Sequence, residues 1–251
     1  MLRLGGLTGA IAACVGGAAT AGAWTQPAGA GFSSVGSSYY ALRGGGYEEL
    51  GLTSYIEYGA LDWLTLGAVI EASQPIGAAG DQPGDTGAVA LARVRLAVGP
   101  HGDPFAAQLS VGAPLNDVVN DVAPQRDDDE IETDFRLLYG RGFSSPFGDG
   151  WANAEAGVRL RSGINSDEFR LDLTVGVRPT ERWLTFVQAF VTRSLGNEDP
   201  FGSDYDVLKI APSAGYRITP ELTLVVGTEH EVAGRDITLG DRFRLSIWRS
   251  F

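Results

Sequence analysis

Charged side chains at alternate positions carry most of the chemical potential in this chain. Glu57, Glu71, Arg93, Arg95, Glu132, Asp134, Arg136, Arg159, Arg161, Arg170, Asp172, Lys209, Arg217, Arg242 and Arg244, with Glu49 and Glu130, sit on the polar parity of segments whose other positions are largely apolar or small. Both charge signs on one face allow two uses. An arginine ladder at Arg159, Arg161 and Arg170, opposite acids elsewhere, would make a constriction favouring anionic or sugar-like solutes. The same groups pairing with one another would instead fill and plug a narrow space.

Catalysis has little to work with. Hydrolysis by a serine or a metal needs a histidine or equivalent base nearby, and only His101 and His230 are present. His101 belongs to the turn sequence His101-Gly102-Asp103-Pro104. His230 lies between Glu229 and Glu231 on the apolar parity, where a lipid-modifying hydrolase is the one enzymatic alternative. The single cysteine, Cys14, falls in the leader, which excludes a thiol nucleophile or a cysteine metal site in the remainder. Asp117, Asp121, Asp127, Asp128, Asp129 and Glu130, and later Glu198, Asp199, Asp204 and Asp206, offer oxygen ligands, but their spacing matches no calcium loop. No catalytic, cofactor or metal residue is assigned. A net charge of −12 disfavours nucleic acid, whose phosphates need a basic face.

The elements that must position these groups are strands. The 251 residues hold 35 glycines, 8 Tyr and 5 Trp against one Met, a balance that weakens helices and suits pleated surfaces. Residues 1–23 read as a cleavable signal peptide. Arg3 gives the positive start, Leu4 to Ala19 the apolar run, and Ala21-Gly22-Ala23 the small-residue cleavage site before Trp24. The alternative is a lipoprotein signal, Ile11-Ala12-Ala13-Cys14, with Cys14 lipidated.

From residue 24 to residue 251 period-two alternation predicts about 12 strands, near 31–42, 47–58, 63–73, 87–98, 105–113, 129–141, 151–162, 167–178, 182–193, 206–218, 221–232 and 238–251. The eighth is the clearest: Phe169, Leu171, Leu173, Val175 and Val177 on one face, Glu168, Arg170, Asp172, Thr174 and Arg178 on the other. After the leader no stretch reaches the roughly 20 apolar residues of a transmembrane helix. A membrane would be crossed with strands.

Three features favour a membrane barrel over a soluble sandwich. Outward positions are often small, as at Ala152, Ala154 and Ala156. Tight connections at 59–62, 99–104, 178–181 and 218–220 alternate with long polar ones at 74–86, 114–128 and 194–205, as in outer-membrane barrels; the 142–150 connection is expected to break this rule. Finally, Phe243, Leu245, Ile247 and Phe251 share a face up to the last residue. That ending resembles the signature by which the outer-membrane assembly machinery identifies its clients, with Arg249 as the departure. Tyr58, Trp63, Trp183, Tyr216 and Phe251 are the expected interface girdle.

The stretch Ala23-Trp24-Thr25-Gln26-Pro27-Ala28-Gly29-Ala30-Gly31, with Tyr55-Ile56-Glu57-Tyr58-Gly59 and Asp62-Trp63-Leu64-Thr65-Leu66-Gly67, resembles XagA-like proteobacterial barrel proteins associated with surface-polysaccharide loci. The resemblance covers about the first 45 mature residues. It implies an outer-membrane location and a part in polysaccharide export or surface attachment, and it carries over no ligand residue. The sequence therefore predicts an all-β, transmembrane antiparallel up-and-down barrel in the outer membrane of a Gram-negative bacterium. Its expected partners are outer-membrane lipids and lipopolysaccharide, the barrel assembly machinery and polysaccharide. A porin-like channel, a closed structural or adhesive barrel and a lipid-modifying hydrolase are the functions left open.

Overall fold

A computed structural model of the chain describes residues 22–77, 83–116, 130–200 and 202–251. Twelve strands follow one another: β1 (Gly31–Leu42), β2 (Glu48–Leu61), β3 (Leu64–Ile76), β4 (Asp85–Val98), β5 (Pro104–Pro114), β6 (Glu132–Ser145), β7 (Gly148–Arg161), β8 (Glu168–Arg178), β9 (Trp183–Ser194), β10 (Asp206–Arg217), β11 (Leu222–Arg235) and β12 (Gly240–Ser250). Each pairs antiparallel with its sequence neighbours, and β1 closes on β12 from Phe32↔Ser250 to Leu42↔Gly240. Closure leaves no unpaired edge, which is what lets strands cross lipid. No helix among the described residues is long and apolar enough to do so.

The two ends of the barrel differ. One holds Gly31 and Phe251, which exchange backbone hydrogen bonds (Gly31 N to Phe251 O 2.7 Å, Phe251 N to Gly31 O 2.9 Å), together with the short turns. At the other lie the strand ends that the longer connections 77–84, 115–131 and 195–205 join. The expected exception at 142–150 is corrected: β6 runs to Ser145 and β7 starts at Gly148, so only Pro146 and Phe147 turn the chain. Gly148 adopts φ 106°, a left-handed conformation open to glycine. The sequence hid this because Ser144, Ser145 and Asp149 look like loop residues, whereas Ser144 and Asp149 are a cross-strand pair whose hydroxyl donates to the carboxylate at 2.8 Å.

The barrel is inverted relative to a soluble domain. On β8 Val175 is 53% exposed while Glu168 is 2% exposed. Val35, Leu52, Ile70, Leu137 and Ile247 are exposed in the same way around the wall, an apolar surface far beyond the patches water-soluble monomers carry. This exterior suits hydrocarbon. At the short-turn end Tyr58, Trp63, Trp183 and Phe251 are exposed and Tyr216 lies on the same outward face, its ring 5.0 Å from that of Trp183. Arg249 also points outward, two residues from the end, where its long stem reaches the headgroup level.

Candidate functional site in the barrel lumen

Cross-strand register fixes which side chains face inward, because residues directly opposite share a face. Glu57, Glu71, Arg93, Arg95, Glu132, Asp134, Arg136, Arg159, Arg161, Arg170, Asp172, Lys209, Arg217, Arg242 and Arg244 all lie on the inner parity. They fall into different groups by depth.

Nearest the short-turn end, the segment before β1 turns into the barrel. Ala28 N donates to Asp62 Oδ1 (2.9 Å) and Gln26 N to Thr65 Oγ1 (2.8 Å). Gln26 Nε2 donates to Glu57 Oε1 (2.5 Å), Arg93 Nη1 donates to the Trp24 carbonyl (3.0 Å), and Ala23 N donates to Asn153 Oδ1 (2.9 Å). The segment is a strap reaching from the β2–β3 turn to the wall at β7. Two glycines make room for it. A Cβ on Gly59 would lie 2.0 Å from the Pro27 carbonyl oxygen, and one on Gly140 would lie 2.6 Å from the Trp24 indole.

Trp24 meets an aromatic arc on the inner wall. It packs with Trp248 on a cluster of Trp151, Leu184, Phe186 and Val225. Ring contacts continue along the wall: Trp151–Phe186 6.3 Å, Phe186–Trp248 5.5 Å, Trp248–Phe32 6.0 Å and Phe32–Tyr55 6.0 Å. Sequence reading missed both the strap and the arc. A signal was present, since Trp151 and Trp248 occupy the polar parity of their strands, beside Asn153 and Ser246.

Deeper in the lumen the charges pair. Glu57 and Arg93 meet at 3.2 Å with side chains 0% and 3% exposed, and Tyr55 donates its hydroxyl to Glu57 Oε2 at 2.6 Å. Arg136 grips Asp134 through Nε (2.8 Å) and Nη2 (2.9 Å), also bonds Asp172, and stands 3.5 Å from Glu155. Arg170 lies 3.5 Å from Asp134, Arg159 3.1 Å from Glu132, and Arg161 2.7 Å from Glu168 and 3.2 Å from Glu130. The arginines therefore do not stand as a free positive ladder. Arg136, Arg159, Arg161 and Arg170 share the carboxylates of Glu130, Glu132, Asp134, Glu155, Glu168 and Asp172 in one network, and Arg93 with Glu57 forms a separate pair.

Toward the long-loop end the lumen widens into a cavity of about 650 Å³, running from Trp248 and Phe186 up to Tyr47 and Tyr205. Its walls combine Lys209, 3.2 Å from Glu231; Arg242, 3.4 Å from Glu49 and 5.0 Å from the centre of the Tyr40 ring; and Arg244, 3.5 Å from Glu229. Glu71 faces the same space. Arg95 and Arg217 lie at the opposite end, and Arg178 there stacks 5.6 Å from the Trp151 ring centre.

The remaining sequence candidates lie outside the lumen. His230 faces outward near the long-loop rim, with Nδ1 2.7 Å from Asp241 Oδ1 and Nε2 3.1 Å from Thr228 Oγ1. Arg43 binds both oxygens of Asp241 (2.6 and 2.8 Å). A bidentate arginine lowers the basicity of that carboxylate, so the cluster is a poor activating relay. His101 sits in the 99–103 turn. Asp117, Asp121, Asp127, Asp128, Asp129 and Cys14 lie outside the described residues. Among the described residues no group of three His, Cys, Asp or Glu is arranged to hold a metal. Asp204 and Asp206 instead clamp Arg235 at 2.7 and 3.1 Å, and hydrogen bonds from the Arg235 guanidinium and then Ser194 hold the Asp204 carboxyl down at about 2.

No family model and no curated protein matches the chain. Solved structures do. The COG4313 outer membrane channel from Pseudomonas putida F1 superimposes with a TM-score of 0.64 at 14% identity, over 91% of this chain and 98% of that one. The fold is that of the bacterial outer-membrane barrels. The NanC porin (TM-score 0.58, 8% identity, 86% and 98% covered) and the KdgM porin (0.54, 8%, 87% and 99%) share it. The function of these neighbours belongs to them. What they establish here is the closed twelve-stranded architecture.

Proposed function

We propose that this chain is a porin-like channel of the outer membrane, narrowed at its periplasmic mouth by its own N-terminal strap, and that it passes small polar solutes. The short-turn end with both strand termini faces the periplasm and the long loops face outward, the usual sense of such barrels. One observation carries the reading: a cavity of about 650 Å³ lined by both charge signs, hydroxyls and aromatic rings lies directly above the strap. An inert structural barrel gains nothing from leaving that volume unfilled, since close packing is the cheaper solution. Paired charges on the wall hydrogen-bond a polar solute without holding one ion tightly.

The XagA-like resemblance supports surface polysaccharide as the setting. The assembly machinery would deliver the barrel and lipopolysaccharide would surround its outer rim. Planar-bilayer recordings on the purified barrel test the channel. Small discrete conductance events are expected, growing when residues 24–29 are deleted. A folded barrel silent both with and without the strap would leave only a structural or adhesive role. Deleting the gene tests the setting: unchanged surface polysaccharide would remove it.

A further inference from the structure

We infer that the periplasmic mouth of the barrel carries an oxyanion site, in which Arg178 grips a carboxylate or phosphate group through Nε and Nη2 and Arg217 supplies a second positive charge. Arg178 ends β8 and Arg217 ends β10, both on the inner face with β9 between them. The Arg178 guanidinium lies over Trp151, 5.6 Å from the ring centre, and its Nε and Nη2 are buried without a hydrogen-bond partner in the protein. Those two atoms form one edge of the guanidinium plane, the edge that takes both oxygens of a carboxylate or phosphate side by side. Two other arginines of this chain use it in that way: Arg43 presents Nε and Nη2 to Asp241, and Arg136 presents them to Asp134.

Arg178 differs from the arginines deeper in the lumen. Arg159, Arg161 and Arg170 also have a nitrogen without a hydrogen bond, but each stands beside carboxylates of the lumenal network. Arg178 and Arg217 form no ion pair among the described residues. Asp149, opposite Arg178 on β7, is exposed and accepts the Ser144 hydroxyl at 2.8 Å. In the turns at this end, Asp62 accepts the Ala28 amide at 2.9 Å and Glu221 the Thr219 hydroxyl at 3.1 Å. The charges of Arg178 and Arg217 repel one another, so an anion shared between them removes a repulsion as well as satisfying the buried edge. There is room for it: the wall beside Trp151 is bare at Gly142, where a Cβ would meet nothing within 4 Å. Neither arginine lines the cavity above the strap, so this is a second site. Its role rests on the channel reading, as the place where the anionic group of a solute is held at the periplasmic exit; binding itself needs no conduction.

The test is titration calorimetry on the folded barrel in detergent at low salt, with inorganic phosphate and separately with glucuronate. Saturable binding of at least one is expected, weakening as salt is added. Phosphate alone assigns a phosphate ester, glucuronate alone a sugar carboxylate, and both a general oxyanion site. Arg178→Gln is expected to weaken binding at least about tenfold, the loss of charge-assisted hydrogen bonds. Arg178→Lys should weaken it too, because it keeps the charge and loses the paired donors, and Arg217→Gln should do so severalfold. Arg141→Gln, on the outer face of β6, makes the same change of charge and should leave affinity unaltered. No saturable binding of either anion to wild type, or wild-type affinity in folded Arg178→Gln, would overturn the proposal; the wild-type arm stands even if a variant fails to fold. Conductance is recorded on the same preparation. A conducting barrel that binds neither anion overturns this site alone, whereas a silent barrel that binds one overturns the channel and leaves the site.

Discussion

Replacing Glu57 with Ala is expected to cost about 3 kcal/mol of stability, roughly two orders of magnitude in the folding equilibrium. Glu57 is 0% exposed, and its carboxylate receives the Tyr55 hydroxyl, the Gln26 amide of the strap and the Arg93 guanidinium. Truncation leaves Arg93 buried with only neutral acceptors, Gln108 Oε1 at 3.1 Å and the Trp24 carbonyl at 3.0 Å. Breaking a buried pair by removing one partner typically costs about 3 to 5 kcal/mol, and those two acceptors put this case at the low end. The double variant Glu57→Leu with Arg93→Met removes both charges, and should lie within about 1 kcal/mol of wild type, because no lone charge remains to be desolvated. The assay is urea unfolding from lipid vesicles, followed by tryptophan emission and by the heat-modifiable gel shift, with both single variants completing a double-mutant cycle. A Glu57→Ala loss below about 1 kcal/mol, or a double variant as damaged as the sum of the singles, would refute the view that this pair is a dry lumenal clamp on the strap.

Other consequences are open to the same kind of check. Gly140→Val places a side chain where the Trp24 indole lies, so a folded barrel with enlarged single-channel conductance is expected; unchanged conductance would show that Trp24 does not narrow the bore. The Asp204 carboxyl is lowered to about 2 by Arg235, below its unfolded value near 4. Its contribution is therefore complete above about pH 4 and disappears as pH falls through about 2, so Asp204→Asn should flatten the acid dependence of thermal stability in that window. For His230, fatty-acid release from phospholipid vesicles is expected to stay at background in wild type and in His230→Ala alike. Hydrolysis by wild type that the variant loses would establish an enzyme at the outer rim.

The barrel itself was legible because a wall one residue thick makes every strand declare both of its environments. Phe169, Leu171 and Leu173 against Glu168, Arg170 and Asp172 can be read off with no partner strand in hand, and the segment limits came within a few residues of the observed ones. The connection at 142–150 failed for a local reason: Ser144 and Asp149 form a rung across a hairpin, and nothing in their residue types distinguishes a rung from a loop.

The lumen was legible in composition and illegible in arrangement. Alternation placed the arginines inside, but it could not say whether they stand free, because pairing depends on which strands neighbour one another and at what stagger. Asp134 meets Arg136 on its own strand, while Arg170 reaches it from two strands away, and the registers of β6 on β7 and β7 on β8 fix that geometry. The strap shows the same limit more sharply. Ala23 to Ala30 have no periodicity to read, and their place inside the barrel follows from contacts with Glu57, Thr65, Arg93 and Asn153, as distant as residue 153 in the chain. Short-range alternation determined the fold, since each side chain need only choose between lipid and lumen. Tertiary structure decided how much of the lumen stays open, since that depends on groups brought together across the barrel.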